Sequence, residues 1–179
     1  MNPAPPAHRT SIISGDKRAW ASALSALFVE LDVVIAETGS DSRLRAERFA
    51  FGDFELVRTS VDPGAFSVIR SEKLASRSTS NSFFIACVLR GCITLTQAAR
   101  SITLKASDLA VLDSTQPYRI DVDGRLDVLW VRVPRHRIEG RIARSAQVLA
   151  QRIDGSRGAG HLTSTLVSAA LREADQLSA

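Results

Sequence analysis

From about residue 32 to residue 133 the chain is written in short runs of Val, Ile, Leu, Phe and Thr, cut at close intervals by Gly, Asp, Pro and Ser. VVIAE, LRAERFAFG, FELVRTSV, AFSVIRSE, SFFIACVLRG, CITLTQA, RSITLK, DLAVLD, YRIDV and RLDVLWVRVP each have the length and residue types of a strand. Ten such runs with no helical period between them leave a mainly β fold: a closed barrel or a two-sheet jelly roll. In RLDVLWVRV, Leu126, Val128, Trp130 and Arg132 share one face, while Asp127, Leu129, Val131 and Val133 share the other. Both faces are largely apolar, so the spacing predicts a strand covered on both sides.

The flanks read differently. Residues 1–16 carry three early prolines and no period, which predicts a flexible tail ahead of a barrel over 17–133. DKRAWASALSALF, 16–28, sets Trp20, Leu24, Leu27 and Phe28 at helical spacing behind Asp16 as N-cap, and predicts a short lid helix over the end of a sheet. After Pro134 the period becomes 3.6, so residues 134–179 read as a helical segment. Ile138, Ile142, Ala146, Leu149 and Ile153 fall on one stripe beside a second stripe of Arg137, Arg141, Arg144 and Arg152. GSRGAG breaks the pattern at 155–160. A last helix follows, with Leu162, Leu166, Val167, Ala170, Ala174 and Leu177 on its apolar side and no stop signal at Ala179. The stripes need partners. Dimerisation is the expectation for Ile138, Ile142, Leu149, Ile153, Leu162 and Leu166, with the chain's own barrel as the alternative. The six arginines of 134–157 face only Glu139 and Asp154, and suit either a solvated helix face or nucleic acid phosphates.

Composition narrows the function. Apolar residues at 45% and charged residues at 23% describe a folded domain. FFIACVL is far short of the ~20 residues of a membrane helix. The proline-rich start lacks the apolar stretch of a secretory signal, so the expected location is the cytoplasm, where Cys87 and Cys92 would stay two separate thiols. A metal-binding barrel needs imidazoles on its strands. His8 lies in the tail, His136 follows the last strand and His161 opens the final helix, so neither a metal nor another cofactor is expected. No G-x-S-x-G elbow, phosphate-binding loop or dinucleotide fingerprint is present.

What remains is a barrel whose interior can be a pocket with apolar walls and a few polar anchors. Phe49, Phe51, Phe66, Phe83, Phe84 and Trp130 are the candidate walls, and Arg58, Arg70 and Arg132, which recur on strand-like runs, the candidate anchors. An arginine turned inward selects a carboxylate or phosphate, so an anionic or aromatic acid is the expected ligand type. The plain alternative is that the aromatics are core and the arginines meet water.

AFSVIRSEKLA, then FFIACVLRGCITLTQAARSITLKASDLAVLDSTQPYRIDV, then RLDVLWVRVPRHRI together resemble the N-terminal regulatory domain of AraC/XylS-type bacterial transcription regulators, from about Ala19 to Arg157. The most specific part is Gly91, the Arg100 turn, Leu104, Asp108, LAVLD and Pro117-Tyr118, closing with Val133, Pro134 and Arg135. Gly91 allows a tight strand exit, Ser107-Asp108 turns the chain into LAVLD, and Pro117 and Pro134 end strand pairing. Ser107 stands where the resembling domains commonly have glycine, which leaves the turn type open. The resemblance implies a cupin-like jelly-roll barrel that has lost its metal, senses a small-molecule effector and forms a homodimer through the helices after it. It also implies DNA contact through a C-terminal module of two helix-turn-helix motifs. Residues 160–179 offer one helix, so the expectation is the sensing and dimerisation part of a regulator, without that module. Two other readings stay open: a metal-free barrel enzyme using an Arg/Asp/Tyr118 set, and a dimerisation domain with a filled core. An interior void separates sensing from the filled core.

Overall fold

The computed structural model describes residues 17–35, 43–51, 53–138 and 145–173. Helix α1 (Lys17–Leu27) leads into β1 (Asp32–Ile35), β2 (Arg43–Phe51) and β3 (Phe54–Arg70); a short α2 (Glu72–Arg77) follows. Next come β4 (Ser82–Arg90), β5 (Cys92–Gln97), β6 (Arg100–Lys105), β7 (Leu109–Asp113) and β8 (Tyr118–Pro134). Then follow α3 (Arg135–Ile138), α4 (Ser145–Val148) and α5 (Gly158–Arg172). The fold is mainly β, a curled sheet of the cupin-like kind with helices at both ends. Every strand pairing in it is antiparallel: β1-β3-β8-β4-β7 is the main path, β2 adds to β3, and β5 bridges β6 and β8.

The ten expected strands condense to eight among the described residues. FELVRTSV and AFSVIR form one strand, β3, and YRIDV and RLDVLWVRVP form one strand, β8. Both bend where β3 carries a bulge between Val61 and Gly64, opposite Gly124 of β8. The one extra residue reverses the side-chain parity of β3. Val57, Thr59 and Val61 face the barrel interior before the bulge, whereas Phe66, Val68 and Arg70 face it afterwards.

Hairpin signals show up at the turns. Gly91 takes φ +85° between β4 and β5, and a Cβ there would lie 2.1 Å from the Arg125 carbonyl oxygen. Ala98 and Ala99, both left-handed, make the two-residue turn before Arg100. Ser107 adopts φ 75°, the left-handed conformation that glycine takes most readily, so the departure from glycine leaves the turn intact. Asp108 supports it by accepting the Lys105 amide hydrogen at 3.0 Å.

Two cores form. The larger fills the barrel and includes Trp20, Leu24 and Leu27 of α1, which closes one end. The smaller joins Phe49, Leu56, Cys87, Leu109 and Leu129 on the other face of the sheet, under Val167, Ala170 and Leu171 of α5. Leu129 is thereby covered on the face opposite Val128 and Trp130, as the two-sided pattern predicts. Cys87 is buried, which pushes its thiol pKa up to about 11, and Cys92 is exposed; both are free thiols.

The helical segment departs most from expectation. A continuous helix over 138–153 is not formed: residues 149–153 lie against β7 through two isolated bridges, with Ala150 left-handed at φ 47°. Ala150 N–H donates to the Val111 carbonyl at 3.0 Å, and Leu109 and Ile153 exchange backbone bonds at 3.0 and 2.8 Å. Leu149 is fully buried in its own chain and is therefore no dimer surface; Ile153 is partly exposed, Ile138 half-buried, and Ile142 lies outside the described residues. Of the arginine stripe, Arg137 pairs with Asp53 and Arg152 with Asp108, while Arg135 and Arg157 beside it pair with Asp113 and Asp154. Arg141 and Arg144 lie outside the described residues, as do the 1–16 tail and its Asp16 cap. Residues 72–77, not expected to be helical, are capped by the Ser71 hydroxyl, which accepts the Leu74 amide hydrogen.

Candidate functional site

Inside the barrel lies a narrow cavity of about 50 Å³. Its wall is aliphatic and aromatic, contributed by β2, β3, β4, β7 and β8, and its lid is Leu24, Phe28 and Leu31 from α1 and the segment after it. Phe28 stands edge-on to Phe84 and Trp130, with ring centroids 5.5 and 5.7 Å apart. Two lining side chains are polar-tipped besides Trp130. Thr59 accepts the Trp130 indole N–H at 3.1 Å, which satisfies that donor within the wall. Tyr118 is the other, and burial pushes its phenol pKa up, so it is a neutral donor at any physiological pH.

Strand parity decides which expected residues meet here. Trp130, Phe66 and Phe84 line the cavity. Phe83, one residue out of phase with Phe84, is buried on the opposite face with the Arg135 guanidinium 4.4 Å above its ring. Phe49 belongs to the smaller core under α5. Arg58 also faces away from the cavity, where Asp127 grips it through two hydrogen bonds of 3.0 and 2.6 Å that push its pKa up. Arg132 is held by Glu55 and Ser82. The Phe51 side chain lies outside the described residues.

Arg70 is different. Brought inward by the bulge, it is 1% exposed and sits opposite Tyr118 in the strand register, one inward step beyond Val68 of the cavity wall. Its Nε donates to the Ser114 carbonyl at 2.7 Å and its Nη1 to the Glu30 carbonyl at 2.8 Å. Nη2 has no partner, and no carboxylate lies within ion-pair distance among the described residues. Glu30 belongs to the connection after α1, so Arg70 ties the lid to the barrel.

One strand links the cavity to the C-terminal helix. Leu112 of β7 lines the cavity, while the backbone of Leu109 and Val111 in the same strand holds residues 149–153. Arg100 adds bonds to the Gln147 and Leu149 carbonyls at 3.1 and 3.0 Å. Arg152 binds Asp108 at 2.7 Å. Burial alone would raise the Asp108 pKa, but the Arg152 hydrogen bond and the Lys105 and Gly155 amides outweigh it and hold the carboxyl below its usual range. Gly155 lies flat on the same turn, where a Cβ would come 1.5 Å from the Ser107 carbonyl oxygen. These contacts fix the chain ahead of α5. The sequence stripes gave no sign of them, because Asp108 lies 44 residues before Arg152 and reads locally as a turn residue, while Arg152 and Gly155 read as a helix and its breaker.

On α5 itself, Val167, Ala170 and Leu171 pack on the barrel while Leu162 and Leu166 are 71% and 69% exposed, one turn apart. His136 and His161 lie on α3 and α5, both exposed and outside the barrel. Among the described residues no group of three His, Cys, Asp or Glu side chains is placed to hold a metal ion, and no helix is long and apolar enough to cross a membrane.

A family model described as an AraC-binding-like domain matches residues 20–179. Among solved structures, the AraC-like transcriptional activator CuxR is similar over 93% of this chain, at 13% identity and a TM-score of 0.81. This chain covers 61% of that activator's length. The cupin domain of Cnp3 from Schizosaccharomyces pombe matches over 55% of this chain and 70% of its own, at 12% identity and a TM-score of 0.41. The EutQ protein of Clostridium difficile matches over 56% and 75%, at 11% identity and a TM-score of 0.40. No curated protein matches the sequence at a significant level.

Proposed function

We propose a sensor's role for this chain, which belongs to the family of AraC-binding-like domains: it binds a small organic effector in the barrel and passes the event to a DNA-binding module of a transcription regulator. Residues 17–133 act as the sensor and 134–179 as the dimerising and coupling segment, in the cytoplasm, without catalysis. The observation that carries this reading is the shared strand. β7 walls the cavity with Leu112 and grips the chain ahead of α5 with its backbone. A ligand that shifts β7 relative to the lid therefore shifts the base of α5, which is the differential contact that coupling between two sites requires.

The cavity bears on how an effector enters. An engineered cavity of ~150 Å³ holds benzene, about three times the space here. Binding thus requires the lid of Leu24, Phe28 and Leu31 to move outward, and the effector is read by the position of α1 as well as by β7. The same narrowness supports the competing reading, a filled core used only for dimerisation. Thermal melting of the 179-residue chain with aromatic acids, aliphatic acids, amines and sugars separates the two. A compound at one hundred times its Kd should add about 2.7 kcal/mol, a rise in Tm on the order of 5 to 10 °C. A panel without any such rise turns the assignment to the filled core.

Leu162 and Leu166 supply the dimer surface in this reading, since their α5 face is turned from the barrel. The double variant Leu162→Asp, Leu166→Asp should sediment as a monomer where the parent chain sediments as a dimer, with its Tm lowered only by the lost association. A parent chain that is monomeric at all concentrations removes the dimer from the proposal.

A further inference from the structure

We infer that the effector is an amphiphile with one anionic end, its anion seated at Nη2 of Arg70 and its apolar body between the lid and the barrel wall. The inference rests on the sensor reading and adds to it the chemistry of the ligand. A guanidinium is a cation, and one that is 1% exposed has lost almost all its water. Two carbonyl oxygens, of Ser114 and Glu30, accept from Nε and Nη1. Neither neutralises the charge, and Nη2 is left without an acceptor among the described residues. A buried cation in this condition is what a ligand carboxylate or phosphate relieves, since a charge-assisted bond forms and a desolvation penalty already incurred by the fold is offset.

Position supports the same chemistry. Arg70 does not itself line the cavity, but it pairs in register with Tyr118, which does, so its guanidinium lies just past one end of the cavity, where an opened lid exposes it to a ligand. The rest of the lining offers almost nothing polar: Thr59 is engaged by Trp130, and the other walls are hydrocarbon. A sugar would bury its hydroxyls without partners there. A cationic amine would meet the arginine as a like charge. A hydrocarbon body of aliphatic or aryl type suits the walls and reaches Phe28 and Leu31, while its anion takes the arginine that holds Glu30. Both ends of such a ligand act on the 28–31 connection.

The test uses matched pairs on the unmodified chain: straight-chain carboxylates of six to twelve carbons and phenylacetate, each against its primary amide, titrated calorimetrically and followed by melting. At least one acid should bind ten-fold or more tighter than its amide, and Arg70→Gln should bring the two within about two-fold. Because Arg70 also ties the lid, a variant that fails to fold leaves the decision to the ratio in the parent chain. Amides that bind as tightly as their acids, or a neutral sugar or amine that binds when no acid does, overturn the anionic effector and leave the sensor standing. No binding by any acid, amide, sugar or amine overturns both.

Discussion

Asp113→Ala should lower the stability of the domain by about 3 to 5 kcal/mol, the cost of breaking one side of a buried ion pair. The Asp113 side chain is 2% exposed, and its Oδ1 accepts from Arg135 Nη2 at 2.6 Å and from the Thr115 amide and hydroxyl at 2.9 and 2.7 Å. Arg135 at the same time covers the Phe83 ring. Without the carboxylate, a largely buried guanidinium keeps its charge and loses its counter-ion, and Thr115 loses the acceptor that closes the turn into β8. Urea unfolding reads the effect directly: with a slope of about 2 kcal/mol per molar, the midpoint should fall by about 2 M. Asp113→Ala with Arg135→Met should recover part of that loss, because no charge is then left unpaired. A fall of less than 0.5 M in the single variant would mean that the turn is held by its backbone bonds, chiefly those of Asp113 to the Gln97 side chain.

Two residues of that clasp lie in the motif that marks the family resemblance: Asp113 closes LAVLD and Arg135 ends the run of Val133 and Pro134. Gln97, at the end of β5, joins them in the fold without having been singled out in the sequence. Strand content, the two-sided character of β8 and the lid helix follow from patterns of period 2 and 3.6. Orientation within strands did not follow. Arg58 and Arg70 are an even number of residues apart, so alternation alone places them on one face, yet the bulge at Val61/Gly64 turns Arg58 to Asp127 and Arg70 to the interior. Asp62-Pro63-Gly64 is the local signal for that irregularity. It reads equally well as a hairpin turn, which is why one bent strand looked like two. Phe83 and Phe84 illustrate the opposite limit: adjacent aromatics must take opposite faces, and only the tertiary pairing of β4 with β7 and β8 fixes which one lines the cavity. In the C-terminal segment, helical spacing at 138–153 was outweighed by β7, whose open edge satisfies backbone groups of Ala150 and Ile153 that a helix would have satisfied internally.

That edge is where the second large effect is expected. Gly155→Ala places a methyl group 1.5 Å from the Ser107 carbonyl oxygen, a clash no rotamer change relieves because the Cβ is fixed by its own backbone and the oxygen it meets is backbone. The turn carrying Ser107 is itself fixed, with Ser107 N–H on the Val88 carbonyl at 2.7 Å and Asp108 bridging to Arg152 and Lys105. The yielding part is therefore the 149–155 segment. Its displacement should cost about 1 to 3 kcal/mol, the usual penalty of overpacking. More tellingly, the amides of Ala150 and Ile153, which donate to Val111 and Leu109, should lose ten-fold or more of their protection from hydrogen exchange while those of β3 and β8 keep theirs. If β7 is the route from cavity to α5, an effector that fills the barrel of this variant will still raise its Tm, but will no longer change exchange along α5. Unchanged protection at 150 and 153 would show that the linker stays docked despite the methyl group. An effector response in α5 that survives loss of that protection would instead move the route to the other face of the sheet, where Val167, Ala170 and Leu171 rest on Leu129 and Cys87.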